Sequence, residues 1–182
     1  EDVFNICYRS FSLNTIALIV DQLISCLQHI HTQNFIHRDL KPTNVLIGIG
    51  NNTHIIYLVD FSISKQYRDP NTHVHIMPGH TTSLIGTPAP TPINSHCGLE
   101  LGRRDDLELL IYLLIYLVHG CLPWLNREIT TDSIVLDMKL NMDELCHELP
   151  CKFRHMLDYL RGLAFHAKPN YSYLRVLVQK LH

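Results

Sequence analysis

From Leu109 to Val118 the chain is apolar without interruption. A helix of that composition has no polar face to turn toward water, so other elements must wrap it. It is also too short to cross a bilayer, which takes about 20 residues. The run therefore predicts a buried central helix from Leu107 to about His119. Arg103-Arg104-Asp105-Asp106 opens it, with the acidic pair complementing the positive end of the helix dipole. Gly120 is a C-cap candidate with Pro123 beyond it. A chain of 182 residues, 46% hydrophobic and 18% charged, is long enough to build one core around such a helix.

Ahead of that helix, Phe35-Ile36-His37-Arg38-Asp39-Leu40-Lys41-Pro42-Thr43-Asn44 concentrates polar chemistry in one stretch. An aspartate at position 39 can accept or orient a hydroxyl proton. Lys41, two residues on, can reach a transferring phosphate from the same loop. Asn44 offers a neutral oxygen to a magnesium ion without adding a full charge, and Pro42 fixes one backbone torsion between them. Asp60 then ends the apolar run Ile55-Ile56-Tyr57-Leu58-Val59 and is followed by Phe61-Ser62. Either motif alone reads as well as an ordinary loop or strand end. Both together, in order, with the turn Gly48-Ile49-Gly50-Asn51-Asn52 between them, point to phosphoryl transfer. The pair resembles the H-R-D-L-x-x-x-N and D-F-G motifs of protein kinases.

Along the chain, residues 1–9 read as a short lead-in with apolar Val3, Phe4 and Ile6. Ser12 is an N-cap for a helix to about Thr32, with Ile16, Ile19, Val20, Leu23, Ile24, Leu27 and Ile30 on one face. Strands are predicted over Val45–Ile47 and Ile55–Val59. From Ser64 to Pro92 no period survives, and a segment of that length without its own structure is usually functional. Further helices are predicted near 131–140, 151–163 and 171–181. The fold class is mainly α with a small β element, in one domain.

Fifteen basic against seventeen acidic residues, a net charge of -2, argue against a nucleic-acid surface. The first residues hold no basic stretch followed by an apolar core, so no signal peptide is expected. Six cysteines without C-x-x-C spacing read as reduced thiols of an intracellular protein, cytoplasmic or nuclear. His29 and His31 sit two apart in a predicted helix, on different faces, and are assigned to surface or core rather than to a metal.

As a whole the chain is similar to the large, C-terminal lobe of a eukaryotic protein kinase, and in detail to the casein kinase I family. The resemblance spans 1–182 and rests on Asn34 to Asp39, Lys65-Gln66-Tyr67-Arg68-Asp69 with Thr72 to Ile76, Ile93-Asn94, Arg103 to Glu108, Gly120 to Trp124, and Lys168 to Arg175. It implies a serine/threonine kinase that moves the γ-phosphoryl group of ATP, with Mg2+, to a protein substrate. The catalytic loop would be 35–46 and the activation segment 60–94. Asp39 would be the catalytic base, Lys41 a phosphate contact, and Thr87 a bridge between them. Asn44 and Asp60 would hold magnesium, and Leu46 would contact the nucleotide. Asp106 would brace the catalytic loop.

Several features depart from the family. No glycine-rich loop or Val-Ala-Ile-Lys strand is present, so the small lobe is expected to be absent and 1–182 alone inactive. Ser62 replaces a glycine, Pro88-Ala89-Pro90-Thr91-Pro92 replaces an Arg-Tyr-containing stretch, and Ile111 replaces a glycine of the central helix. The alternative is a non-catalytic, kinase-like binding module. A monomer without membrane or nucleic-acid partners is expected, unless the uncovered small-lobe face pairs.

Overall fold

The structure, a computed structural model, describes residues 2–80, 91–125 and 131–181. In chain order it runs α1 (Asp2–Ile6), α2 (Leu13–Thr32), β1 (Phe35–Ile36), β2 (Val45–Ile47), β3 (Ile56–Leu58), β4 (Lys65–Gln66), α3 (Ile93–His96) and α4 (Arg103–His119). It continues with α5 (Asp132–Leu140), α6 (Met142–Leu145), α7 (Cys151–Arg161) and α8 (Tyr171–Val178). The chain is mainly helical with a small antiparallel element, as its periodicities predict.

Helix α4 is the hub. Its residues from Leu107 to Leu117 are all buried, and α2 and α7 pack against it while α8 packs on α2 and α7. On α2, Ile16, Val20, Leu23, Ile24 and Leu27 are buried while Leu18 faces water. The Ser12 side chain accepts the Thr15 amide at 3.2 Å, which satisfies one orphan donor of the first turn. Helix α4 begins at Arg103, a turn before the apolar run, because the Asp105 carboxylate accepts the Gly102 amide at 2.6 Å. At its other end Gly120 has φ +79°, and a Cβ there would lie 2.7 Å from the Arg9 carbonyl oxygen. Gly120→Ala combines a left-handed backbone with that clash. It should lower stability by about 1–2 kcal/mol, read from urea melts.

Strands β2 and β3 pair with Val45 opposite Leu58 and Leu46 opposite Tyr57. The Gln22 side chain on α2 donates to the His54 carbonyl and accepts the Ile56 amide, which ties this hairpin to the core. The second strand is one residue shorter at each end than predicted. Helices α7 and α8 likewise stop two and three residues before their predicted ends, at Gly162 and Gln179. The pairing of β1 with β4, Phe35 opposite Gln66 and Ile36 opposite Lys65, is too short to carry a period of two. Helix α1 in the lead-in and the single turns α3 and α6 went unpredicted for the same reason. Around the hairpin and α1, Ile6, Leu46, Ile47 and Tyr57 are exposed. Beneath them lies a cavity of about 280 Å³ lined by Val3, Phe4, Phe11, Leu46 and Leu113.

Candidate active site

Strand β1 delivers the chain into the loop at His37. There the Asp106 carboxylate, at the N-terminal end of α4, takes the His37 amide at 2.7 Å and the Arg38 amide at 2.8 Å. The same carboxylate receives His31 Nε2–H at 2.8 Å, and His31 Nδ1 meets the Tyr171 hydroxyl at 2.6 Å. A neutral imidazole accounts for both contacts: Tyr171 O–H donates to Nδ1, and Nε2–H donates to Asp106. Burial pushes the Tyr171 hydroxyl up, which keeps it a donor. Burial would also raise the Asp106 carboxyl. The hydrogen bond from His31, with the two loop amides, overcomes it and holds that carboxyl below the usual range. Its neighbour Asp105, with Asn94 Nδ2–H and the Gly102 amide as donors, is pushed up by burial to about 6. Adjacent carboxylates thus diverge by the number of their donors.

Fixing the His37 and Arg38 amides turns the loop. Arg38 takes φ +71° and its Nε–H donates to the Ile63 carbonyl at 2.7 Å, so the loop and the segment after Asp60 are held together. Asp39, 7% exposed, pairs with Lys41 Nζ at 2.7 Å. Asn44 Nδ2–H donates to the Asp39 carbonyl at 2.9 Å and to its carboxylate at 3.1 Å. The loop has closed on itself around one carboxylate. With its nitrogen committed to Asp39, Asn44 has an amide oxygen that bonds none of the described residues.

Asp60 comes alongside through the backbone. The Val59 amide donates to the Asn44 carbonyl at 3.0 Å, and His37 Nε2 lies 3.1 Å from the Val59 carbonyl. The His37 ring packs edge-on against Phe61 with centroids 4.9 Å apart. Asp60 itself holds φ +65° and is exposed. Both donors of Ser62, hydroxyl at 2.7 Å and amide at 3.2 Å, point to one Asp60 oxygen, and none of the described residues bonds the other. Those bonds, hydroxyl first, hold the Asp60 carboxyl below its ordinary value, with Lys41 and His37 adding to the effect. The residue in the left-handed region is Asp60, while Ser62 lies outside it. The positive φ here therefore falls on Asp60, not on Ser62, the position where a glycine is replaced.

Of the residues singled out by sequence, Asp39, Lys41 and Asn44 touch directly, and Asp60 is coupled to them through Val59 and His37. Leu46 sits on β2 at the mouth of the apolar cavity. Thr87 lies outside the described residues. The His31–Tyr171 relay behind Asp106 escaped the sequence reading, and so did a buried knot in which Glu108 accepts from Tyr112 at 2.7 Å and Arg161 at 3.0 Å. The hint at this level is Glu108, a charged residue set between Leu107 and the apolar run that follows. Compared with known families, the chain matches the model described as the protein kinase domain over residues 1–151, most of its length.

Proposed function

Since the chain belongs to the protein kinase family, we propose that it carries the large-lobe half of a serine/threonine kinase site of casein kinase I type, acting on protein hydroxyls. The observation that carries this reading is the closed set Asp39–Lys41–Asn44 with Asp60 hinged beside it. In it Asp39 orients the substrate hydroxyl and takes its proton, and Lys41 neutralises charge on the transferring phosphoryl group. The open oxygens of Asn44 and Asp60 are hard, oxygen-type donors on adjoining loops, which suits magnesium rather than a softer metal. Bound there, the ion with ATP would supply charge neutralisation of the phosphates. Leu46 and the apolar groups around it offer a floor for the base of the nucleotide.

Residues 1–182 contain no phosphate-cradling glycine loop, so on the enzyme reading they do not enclose the nucleotide by themselves. The exposed apolar face around Leu46 and Tyr57 favours a second reading, a kinase-like module that binds partners without turnover. Titration of magnesium and ATP into the protein, with and without an added kinase small lobe, separates the two. Binding that appears only with the small lobe supports the enzyme. No binding in either case leaves the module.

The Asp60–Ser62 contact gives a sharper expectation. Ser62→Gly removes the hydroxyl donor and should let the Asp60 carboxyl titrate closer to the ordinary range, followed by carboxyl NMR. With the bonded oxygen of Asp60 released from the Ser62 hydroxyl and held only by the residue-62 amide, phosphotransfer in the two-lobed protein should be equal or higher. A lower rate would mean that Ser62 helps aim the carboxylate.

A further inference from the structure

Lys139, on α5, is fully buried at 0% exposure. Lysines in cores usually run their stems along apolar surface and lift the amine into water. This one does not. Its Nζ donates to the Thr91 carbonyl at 2.5 Å and lies 2.9 Å from His96 Nε2. It also faces the Trp124 ring at 4.8 Å and the Tyr112 ring at 5.5 Å. A methionine would fill the same space without the cost of burying an amine. The amine is therefore kept for what it holds.

What it holds is both ends of one short stretch. Thr91 precedes α3 and His96 ends it. Helix α3 is a single turn whose N-cap, Pro92, offers no side-chain hydrogen bond, and a lone turn has no stability of its own. A further polar tie runs from Asn94 Nδ2–H to Asp105 at 2.7 Å. We infer that Lys139 is a positioning residue for segment 91–96, gripping the Thr91 carbonyl and the His96 ring so that the end of the long irregular segment is set against α4 and α5. On the kinase reading, that segment is where a substrate peptide docks, and this part of the inference rests on it.

A lysine suits the task in either protonation state. Charged, it donates to both the carbonyl and Nε2. Neutral, it donates to Thr91 and can accept from His96 Nε2–H. The groups around it are Glu108 and Tyr112 on α4, Asp132 on its own helix, Arg161 on α7, His96 on α3, and Trp124. Burial lowers the amine to about 7, with Glu108 and Asp132 opposing the fall and Arg161 adding to it. Burial, then Lys139, lowers His96 to about 4, so the ring is neutral near pH 7. A lysine released to water returns to about 10.4. Opening the segment therefore takes up a proton between those values, and opening becomes harder as pH rises above about 7.

Amide hydrogen exchange on the whole chain tests this through Ser95, Cys97 and Leu99, whose amides bond within the segment's own turns. In Lys139→Met their protection should fall about 10-fold while that of α2 and α4 holds. In the wild type, protection corrected for intrinsic exchange should rise between about pH 7 and 9, and in the variant it should stay flat. If the variant does not fold, the wild-type pH series decides alone. Unchanged protection in the variant, or a flat wild-type series, overturns the inference and leaves the kinase reading untouched. In the two-lobed protein, Lys139→Met should raise KM for peptide with kcat little changed. A fall in kcat alone would overturn the docking role. No phosphotransfer from any two-lobed protein would sink the kinase reading while the exchange result stood.

Discussion

Asp39→Asn, in a protein that also supplies a nucleotide-enclosing lobe, should lower phosphotransfer by on the order of 100- to 10,000-fold with little change in nucleotide affinity. The amide can still accept from Asn44 Nδ2–H, so the loop keeps much of its shape. It cannot take a proton, and it gives up the charge-assisted partner of Lys41 at 2.7 Å. Steady-state kinetics with peptide and a separate nucleotide titration divide the two effects. Activity within tenfold of the wild type would remove Asp39 from the chemistry. Residues 1–182 alone should transfer phosphate at a rate near background even with magnesium. Positioning is most of what a phosphotransferase contributes, and a displacement of about 1 Å can cost on the order of 100-fold. Robust phosphorylation by this chain alone, lost in Asp39→Asn, would show that the large lobe holds its nucleotide unaided.

Asp106→Ala should cost about 3–5 kcal/mol of folding stability. Typical domains have only about 5–15 kcal/mol in total. The carboxylate is 1% exposed and serves three donors: the amides of His37 and Arg38 and the ring of His31. Removing it strands all three away from water, and leaving a buried donor unpaired is worse than never having made the bond. The loop should loosen first, seen as lost exchange protection at His37 and Arg38, before α2 and α4 melt. The same carboxylate sets an acid limit. Its folded value lies below the unfolded one, so its stabilisation is complete above the ordinary carboxylate range and is lost as pH falls through the depressed value. The wild type should therefore lose stability at acid pH more steeply than Asp106→Ala. Parallel acid profiles would mean that the carboxylate is not the loop's anchor.

The elements that could be read in advance are those whose signal is local. Helix α2 shows a three-and-four stripe with a serine at its cap, and α4 is an apolar run closed by glycine. Asp39, Lys41 and Asn44 lie within six residues of one another, and a tight loop brings such neighbours together whatever surrounds it. Where the pattern was too short, as in the two-residue strands β1 and β4 or the single turns α3 and α6, no periodicity exists to be read. There, packing against the rest of the chain decides.

By itself, then, the sequence determined the order of the candidate site groups and the central helix. Only the tertiary structure decided what aims them. Asp106 meets His37 across 69 positions, His31 meets Tyr171 across 140, and Lys139 meets Thr91 across 48. Each of these contacts satisfies a buried polar group that water cannot reach. Such a group takes its partner from whatever the fold brings within about 3 Å, and proximity of that kind is created by packing helices, not by spacing along the chain.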